Sequence, residues 1–339
     1  MSRTDRQQRP PIPRPLGALL EPIYRRVLDK RNASFDAGDN VSRFNVPVVS
    51  VGNISVGGTG KTPFVHWVVR TLRDANRRPA VVMRGYKSRP GRPSDEFLEH
   101  IAALPEAVTV IANPNRAEAI SDLLTDIKPP DCIVLDDGFQ HRRVARDVDV
   151  VLIDATRSPL SDRCLPAGWL REPIDSLERA DLAVLTRTDA ADPDEVERLT
   201  NDLRIRFTHL PVAHASHAWT TLETLDGEQP VASLEGTRVV LACAIGHPAS
   251  IRVQAEALGA EVTDSVDRPD HHAWSQRDLR AIEQRVRSTN ADAALCTRKD
   301  WVKIQRLDHT SIPFIRPRLG IAFRSGEQAA TEIIHAALA

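Results

Sequence analysis

The chain has 339 residues, of which 41% are hydrophobic, 27% charged and only 4% aromatic, and its formal net charge is −1. This composition predicts a folded protein of about two domains, and it argues against global disorder and against a base-stacking nucleic-acid module. We therefore expect no nucleic-acid partner. The four cysteines lie far apart, which favours a reduced compartment over a disulfide framework or a zinc site. No apolar run reaches about 18 residues, so no membrane-spanning helix is predicted.

The N-terminal segment differs in charge from the rest of the chain. Residues 1–31 carry a net charge of +5, whereas the remaining residues carry −6. Residues 1–14 are polar and proline-rich, which predicts a flexible leader. Residues 15–31 have apolar side chains at helical spacing and basic side chains between them, which predicts an amphipathic helix. By pattern alone, this helix either lies in a membrane interface or packs on the protein as an ordinary surface helix.

Short β-rich runs alternate with helical stretches from residue 46 to about residue 188. Because these runs are almost continuously apolar, they predict strands that are buried on both faces of a mostly parallel sheet. The predicted strands are 46–52, 80–83, 107–112, 132–135, 148–153 and 182–185. The predicted fold class is therefore α/β, with a P-loop-like, doubly wound sheet covered by helices on both faces.

A second α/β stretch follows, with strands at 238–242 and 293–297 and a helix near 249–258. The segment 211–237 has scattered Pro, Gly, Ser and Thr, which predicts a linker. We therefore divide the chain after its N-terminal helix into a core at 32–210, this linker, and a smaller C-terminal α/β domain at 238–339.

A glycine-rich loop between the first predicted strand and an amphipathic helix is the strongest local motif. In this context the motif predicts a P-loop, in which backbone N–H groups and the helix N-terminus bind phosphate. It consists of Ser55, Val56, Gly57, Gly58, Thr59, Gly60, Lys61 and Thr62. Lys61 is expected to reach the β- and γ-phosphates of a nucleotide, and the Thr62 hydroxyl is expected to bind Mg²⁺. Ser55 stands where the general motif has glycine.

A later apolar strand ends in two carboxylates, Asp136 and Asp137. An acid at the carboxyl edge of the sheet, facing the P-loop and its metal, is typical of a Walker B element. Together the two motifs predict an enzyme that binds a nucleotide and Mg²⁺. They do not identify the phosphate acceptor.

Seven further segments form a distinctive set along the chain. They are VPVVSVGNISVGGTGKTP (46–63), RGY (84–86), SDE (94–96), LDDGFQHRR (135–143), LPAGWLREP (165–173), IGHP (245–248) and DHH (270–272). From about residue 15 to the C-terminus, the chain resembles the tetraacyldisaccharide 4′-kinases of lipid A biosynthesis. In that family a Ser or Thr usually opens the phosphate loop. The resemblance implies a P-loop core and a smaller C-terminal domain that closes over the active site. The implied reaction transfers the γ-phosphoryl group of ATP to the 4′-hydroxyl of a tetraacyldisaccharide 1-phosphate.

The resemblance also implies roles for individual residues. Asp95 matches the family's proposed catalytic base, and His271 matches the histidine that pairs with this base; His272 is the less favoured alternative. The Mg²⁺ ligands are expected among Thr62, Glu96, Asp136 and Asp137. Arg171 is a candidate clamp on a substrate phosphate, because a guanidinium can bind two oxygens at once. The catalytic set is thus Asp95, His271 and Lys61, and it leaves out His141, Arg142 and Arg143.

The implied substrate is a glycolipid, which favours a membrane-associating role for residues 15–31. A basic head would suit an anionic leaflet. The resemblance therefore implies a peripheral enzyme on the cytoplasmic face of the bacterial inner membrane, and we expect it to act as a monomer.

The chain departs from the family pattern at three positions. Ser94 and Ala244 stand where Gly is usual, and Arg298 stands where Glu is usual. Two other functions stay open: a P-loop kinase with another acceptor, and a non-catalytic, ATP-gated membrane-associated protein. A GTPase is disfavoured because the chain has no N/T-K-x-D motif, and a DHH phosphoesterase is disfavoured because that fold has no P-loop.

Overall fold

The computed structural model describes residues 12, 14–85, 94–245, 248–270, 272–307 and 311–338, except for the side chains of residues 14, 15 and 95. The chain divides into a first unit, Met1–His217 with Ile321–Ala339, and a second unit, Ala218–Gly320. Most of the predicted leader, residues 1–14, lies outside the described residues. Within the described ranges, no helix is both long enough and apolar enough to cross a membrane.

The strands and helices alternate along most of the chain. The strands are β1 (Val48–Asn53), β2 (Pro79–Met83), β3 (Thr109–Ala112), β4 (Cys132–Asp136), β5 (Val148–Asp154), β6 (Leu182–Thr186), β7 (Val212–Thr224), β8 (Gly227–Gln229), β9 (Arg238–Cys243), β10 (Glu261–Asp267), β11 (Ala293–Cys296) and β12 (Phe314–Ser325). The α-helices are α1 (Arg14–Asp36), α2 (Lys61–Asp74), α3 (Asp95–Ala103), α4 (Arg116–Leu123), α5 (Pro193–Arg206), α6 (Pro248–Ala257), α7 (Gln276–Ser288), α8 (Arg298–Ile304) and α9 (Glu327–Ala336). The predicted strands and the helix near 249–258 are all present.

The first unit contains the parallel sheet that the sequence predicts, in the order β3-β2-β4-β1-β5-β6-β7. β1 is central and pairs with β4 on one side and β5 on the other, with Val51 opposite Asp136. This pairing brings the ends of β1 and β4 side by side, at the edge where loops of parallel α/β sheets bind ligands.

Helices cover both faces of this sheet, so the predicted fold class is confirmed. On one face, Phe64 and Val68 of α2 pack against the strands in a core that also includes Ile334 of α9. On the other face, Leu199 of α5 and Ile120 of α4 belong to two further apolar clusters. The strands are buried on both faces because both layers of helices are apolar toward the sheet.

The second unit has a parallel sheet of its own, in the order β10-β9-β11-β12. β7 and β8 form an antiparallel hairpin, with Leu222 opposite Gln229. Helix α7 begins at a capping box, in which Ser275 and Asp278 satisfy each other's backbone N–H groups. Its buried residues, including Ile282, join an apolar cluster with β9 and β11.

Three predicted boundaries differ from the structure. The segment 211–237 is not a linker, because it contains β7, β8 and a short 3₁₀ helix, Val231–Leu234. Its buried residues Trp219 and Leu222 pack in an apolar cluster of the second unit. Polar residues lie between them, so the sequence shows no apolar run that would predict a strand. The C-terminal residues from Ile321 belong to the first unit, because α9 packs against α2 there. The N-terminal helix is also longer than the predicted 15–31 and contains Pro22.

Candidate active site

The phosphate loop follows β1 and is held from behind by side chains. Asn53 Nδ2 donates to the Ser55 carbonyl at 2.6 Å, and Arg187 Nη2 donates to the Gly58 carbonyl at 2.6 Å. Thr186 Oγ1 donates to the Thr59 carbonyl at 3.0 Å. Because the C=O and N–H of a trans peptide point in opposite directions, tying the Gly58 and Thr59 carbonyls back turns the N–H groups of the next residues, Thr59 and Gly60, away from the end of β6. The Val56 N–H, by contrast, donates to the Trp169 carbonyl at 2.8 Å. The loop is therefore arranged to present N–H donors to an anion.

Gly60 ends the loop in a conformation that requires glycine. Its φ is 81°, in the left-handed region, and a Cβ added there would lie 1.8 Å from His217 Nε2. The residue is the N-cap of α2, so the left-handed turn directs the chain into the helix whose N-terminus faces the loop.

Lys61 and Thr62 are the first two residues of α2, as the P-loop prediction requires. Lys61 Nζ lies 3.3 Å from Asn53 Oδ1 and 3.4 Å from Asp137 Oδ1. The ammonium group is thus placed between the loop and the end of β4. Thr62 is half-buried, one residue further along the helix.

Asp137 is bound by cations. Its φ of 52° is left-handed, which aspartate tolerates better than most residues. Arg171 Nη1 donates to both of its carboxylate oxygens, at 2.8 and 2.9 Å. Burial raises the pKa of Asp137, but the charges of Lys61 and Arg171 outweigh burial and hold the pKa below its usual range.

Asp136 is buried and has a different environment. Its Oδ2 accepts a hydrogen bond from His100 Nε2 at 3.0 Å. Its Oδ1 is also buried and has no hydrogen-bond partner among the residues that the structure describes. Since an unpaired buried oxygen is costly, Oδ1 is suited to receive a metal ion, a water or a ligand donor.

The third predicted carboxylate of the metal site lies on α3. Partial burial, reinforced by the charge of Asp136, raises the pKa of Glu96, and Lys61 opposes the shift. The helix begins where Ser94 Oγ accepts from the Phe97 backbone N–H at 3.2 Å. The departure from glycine at Ser94 therefore gives α3 an N-cap.

The predicted base and its partner are described only in part. Asp95 is the first residue of α3, but its side chain lies outside the described part of the structure. His271 lies outside the described residues altogether. The alternative, His272, bonds to Asp278 Oδ2 at 3.0 Å within the second unit.

The predicted Mg²⁺ ligands fit this ion. In the described ranges, no group of three or more His, Cys, Asp and Glu side chains forms a cage for a metal. Mg²⁺ does not need such a cage, because it commonly binds one or two carboxylates together with phosphates and water. The unpaired Asp136 Oδ1 meets that requirement, and Thr62 adds a hydroxyl in the first turn of α2.

Arg171 lies in a segment that α1 holds. Tyr24 OH donates to the Arg171 carbonyl at 2.9 Å, and Glu21 Oε1 accepts from the Cys164 backbone N–H at 3.0 Å. Arg31 of the same helix forms a 2.8 Å ion pair with the fully buried Glu172. The N-terminal helix thus supports the segment that carries one of the site's cations.

Sequence reasoning missed several residues of the site. They are Asn53, His66, His100, Arg116, Gln140, Arg187 and His217. Arg116 is almost fully buried and donates to the Asp137 carbonyl at 3.1 Å, and burial lowers its pKa to about 10. Gln140 Nε2 donates to the Asn53 carbonyl at 2.9 Å, which links the two motifs. The only sequence signal for Asn53 and Gln140 was their position inside the resembling segments.

The fold and the site define a class of protein. A P-loop at the carboxyl edge of a parallel sheet, with its lysine beside the acids of the neighbouring strand, is the arrangement of a P-loop nucleotide-binding enzyme.

Comparison with known proteins identifies the family within that class. The family model described as "Tetraacyldisaccharide-1-P 4'-kinase" matches residues 14–339. A tetraacyldisaccharide 4'-kinase of Anaeromyxobacter dehalogenans is 34% identical over 319 residues, which cover 86% of this chain and 83% of that protein. One of Pseudomonas putida is 40% identical over 220 residues, which cover 59% of this chain and 66% of that protein.

A solved structure supports the same family as these sequence relatives. The crystal structure of the "apo" form of LpxK from Aquifex aeolicus in complex with ATP is 28% identical to this chain, with a TM-score of 0.74. The match covers 95% of this chain and 98% of that one. The chain belongs to the tetraacyldisaccharide 4'-kinase family, and the resemblance drawn from its sequence is confirmed.

Proposed function

We propose that this protein transfers the γ-phosphoryl group of ATP to the 4′-hydroxyl of a tetraacyldisaccharide 1-phosphate, a late step of lipid A biosynthesis. The observation that carries the proposal is that the phosphate loop lies next to the two aspartates at the end of β4. Lys61 Nζ lies 3.4 Å from Asp137 Oδ1, next to an Asp136 that keeps one buried oxygen unpaired. The names of the relatives support the acceptor, and the ATP complex of the solved relative supports the donor.

In this proposal, the loop from Ser55 to Thr62 binds the phosphates of ATP through its N–H groups and Lys61. Thr62 and Asp136 would hold Mg²⁺, with Glu96 and Asp137 as the further candidate ligands. When bound, Mg²⁺ neutralises charge on the phosphate oxygens. Asp137 keeps two cations, Lys61 and Arg171, close together at the edge of the loop. Phosphoryl transfer depends mainly on such positioning and charge stabilisation.

We propose that Asp95 is the base that takes the proton of the acceptor hydroxyl. A sugar hydroxyl is a poor nucleophile at neutral pH, so a carboxylate within hydrogen-bond reach assists its attack. His271 is proposed to orient this base. Because His271 falls in the sequence-predicted C-terminal domain, 238–339, the proposal includes closure of that domain over the active site. Arg171, now paired with Asp137, is proposed to bind a substrate phosphate as well.

We propose that α1 attaches the enzyme to the membrane that holds its lipid substrate. Four apolar side chains of α1 are more than half exposed and recur at helical spacing: Leu16, Leu19, Ile23 and Val27. Exposed Arg25, Arg26 and Lys30 flank them. An apolar stripe flanked by basic residues suits the interface of an anionic leaflet. The proposed location is therefore the cytoplasmic face of the bacterial inner membrane, with the protein acting as a peripheral monomer.

Phosphate transfer from labelled ATP to a tetraacyldisaccharide 1-phosphate in detergent micelles tests the proposal. We expect transfer by the wild type, and a loss of roughly 10²–10³-fold in Lys61→Ala and Asp95→Ala. Lys128→Ala and Asp122→Ala are matched controls, because both side chains are exposed elsewhere in the first unit. The controls should keep wild-type rates.

Two results would contradict the proposal. If the wild type binds ATP but phosphorylates no disaccharide lipid, the acceptor is wrong, and another small-molecule or lipid acceptor must be sought. If ATP is hydrolysed slowly, without stimulation by lipid and without dependence on Asp95, the protein is a non-catalytic, ATP-gated partner.

A further inference from the structure

Two histidines extend from Asp136 into the first unit. His100 Nε2 lies 3.0 Å from Asp136 Oδ2, and His66 Nε2 lies 3.0 Å from His100 Nδ1. The His100 side chain is fully buried, and the two rings meet edge to face with centroids 5.0 Å apart. The P-loop mechanism does not account for either histidine.

The chemistry of the partners determines the direction of these hydrogen bonds. A carboxylate oxygen can only accept, so the hydrogen must be on His100 Nε2. In a neutral imidazole the other nitrogen then accepts, so His66 Nε2 is the donor to His100 Nδ1. The chain therefore runs from His66 through His100 to Asp136, and it occupies Oδ2 while Oδ1 stays unpaired.

The positions of the histidines on their helices relate them to the predicted metal ligands. His66 follows Thr62 by four residues on α2, and His100 follows Glu96 by four residues on α3. Residues four apart lie on the same face of a helix, one turn from each other. The two histidines thus connect the three elements that carry Thr62, Glu96 and Asp136, one turn behind the first two of these ligands.

We propose that His66 and His100 are positioning residues for the metal site, an inference that rests on the proposed function. By holding Oδ2, His100 orients the Asp136 carboxylate so that Oδ1 faces the Mg²⁺ that accompanies the nucleotide. By joining α2 to α3 through their hydrogen bond, the two histidines hold Glu96 near the same proposed Mg²⁺ site. Partners behind a metal ligand commonly orient it in this way, and their loss typically weakens metal affinity or activity by about 10- to 100-fold.

Metal binding, rather than turnover, is the primary test. Mn²⁺ binding in the presence of a non-hydrolysable ATP analogue is measured by electron paramagnetic resonance, and analogue binding without metal is measured by calorimetry. We expect His100→Leu to weaken Mn²⁺ binding by about 10- to 100-fold while metal-free analogue binding stays within about threefold. His100→Gln, which keeps an N–H donor, should recover most of the Mn²⁺ affinity.

His66→Leu and His214→Leu complete the set. His66→Leu removes the orienting partner of His100 but leaves the hydrogen bond from His100 to Asp136, so we expect a smaller loss of Mn²⁺ affinity, about 3- to 10-fold. This variant also tests the proposal if His100→Leu fails to fold, because His66 is half-buried. His214→Leu is the control. His214 is half-buried in the first unit, and its ring is hydrogen-bonded to Thr200 of α5 at 2.8 Å. It should lose stability but no Mn²⁺ affinity.

The outcomes separate this inference from the proposed function. If His100→Leu, or His66→Leu in its place, binds Mn²⁺ as well as the wild type, the histidines only pack and the inference is overturned. An equal loss in His100→Gln and His100→Leu would also overturn it, because the donor would then not matter. If the wild type fails to phosphorylate the disaccharide lipid while the variants lose Mn²⁺ affinity in the expected order, the inference stands and the acceptor is wrong.

Discussion

Two buried aspartates, one in each unit, lie near the carboxyl end of a buried parallel strand, but their oxygens have different partners. Asp136 is the last residue of β4, and Asp300 lies in α8, four residues after the end of β11. In the second unit, Asp300 Oδ2 accepts from the Ala244 backbone N–H at 3.1 Å and from Thr297 Oγ1 at 2.8 Å. Its Oδ1 accepts from Trp274 Nε1 at 3.0 Å. In the first unit, Asp136 has His100 on one oxygen and no partner in the described structure on the other.

The comparison separates a structural carboxylate from one that can bind a ligand. Both oxygens of Asp300 are used by the fold, so its removal leaves donors of the protein unpaired. One oxygen of Asp136 has no partner in the described structure and, under the proposed function, is available to Mg²⁺, so altering Asp136 should affect function more than folding. Burial and a place near the carboxyl end of a strand do not distinguish the two residues; the number of carboxylate oxygens that have a hydrogen-bond partner does.

The largest effect is expected from Asp136→Asn, the change that most directly tests this comparison. The amide oxygen can still accept from His100, but the amide NH₂ group then takes the place of the unpaired oxygen, and the negative charge is lost. We therefore expect kcat for phosphate transfer to fall by roughly 10²–10³-fold, with little change in the thermal midpoint. Steady-state kinetics and thermal unfolding measure the two quantities. A variant that is active within threefold of the wild type, or one that is unfolded, would remove the distinction between the two aspartates.

The next largest effect is expected from Asp300→Ala, in stability rather than in chemistry. The change leaves the indole N–H of Trp274 and the backbone N–H of Ala244 without their acceptor in the core. We expect the free energy of unfolding of the second unit to fall by about 3 kcal/mol. Urea denaturation followed by tryptophan fluorescence measures it, because Trp274 itself reports on this site. Unchanged stability would show that Asp300 is not the structural counterpart of Asp136.

Asp278 extends the comparison to pH. Burial raises its pKa, but hydrogen bonds from Ser275, His272 and Arg268 outweigh burial and hold the pKa well below its usual range. A depressed pKa stabilises the fold above the unfolded pKa of about 3.9 and loses that stabilisation as pH falls through it toward the folded value. We expect Asp278→Asn to cost about 1–2 kcal/mol at pH 7 and progressively less in acid.

The urea midpoint of the second unit, measured between neutral pH and about pH 3, tests this prediction. The wild type should lose stability over that interval, and the Asn variant should lose less of it. Parallel curves for the two proteins would mean that Asp278 is not a source of the acid sensitivity.

The smallest effect is expected from Asp264→Ala. This change removes an exposed ion pair, which serves as a reference for the buried Asp136 and Asp300. Arg285 Nη1 donates to both Asp264 oxygens at 2.6 Å, but both side chains are about one third or more exposed. Water screens such pairs, so we expect a loss below about 0.5 kcal/mol in the same denaturation experiment. A loss as large as that of Asp300→Ala would show that burial is not what separates these carboxylates.

Much of the first unit could be predicted from sequence because its signals are local. The apolar runs predicted β1 to β6, and the loop from Ser55 to Thr62 was recognisable from its glycines, its lysine and the strand and helix beside it. Asp136 and Asp137 were recognisable for the same reason, since they end an apolar strand. The segment 211–237 was not, because the alternating buried residues of β7 are interrupted by polar ones.

The sequence by itself thus determined the fold class, the family and the chemical groups proposed to bind phosphate, because short windows of residues specify strands, turns and helix starts. The tertiary structure decided which of those groups are paired. His66, His100 and Asp136 lie 34 and 36 residues apart along the chain and meet only because α2, α3 and β4 pack together. Likewise, α9 returns to the first unit because its apolar face fits against α2. Hydrogen bonds between side chains of different elements depend on which faces packing brings together, and no local pattern records that.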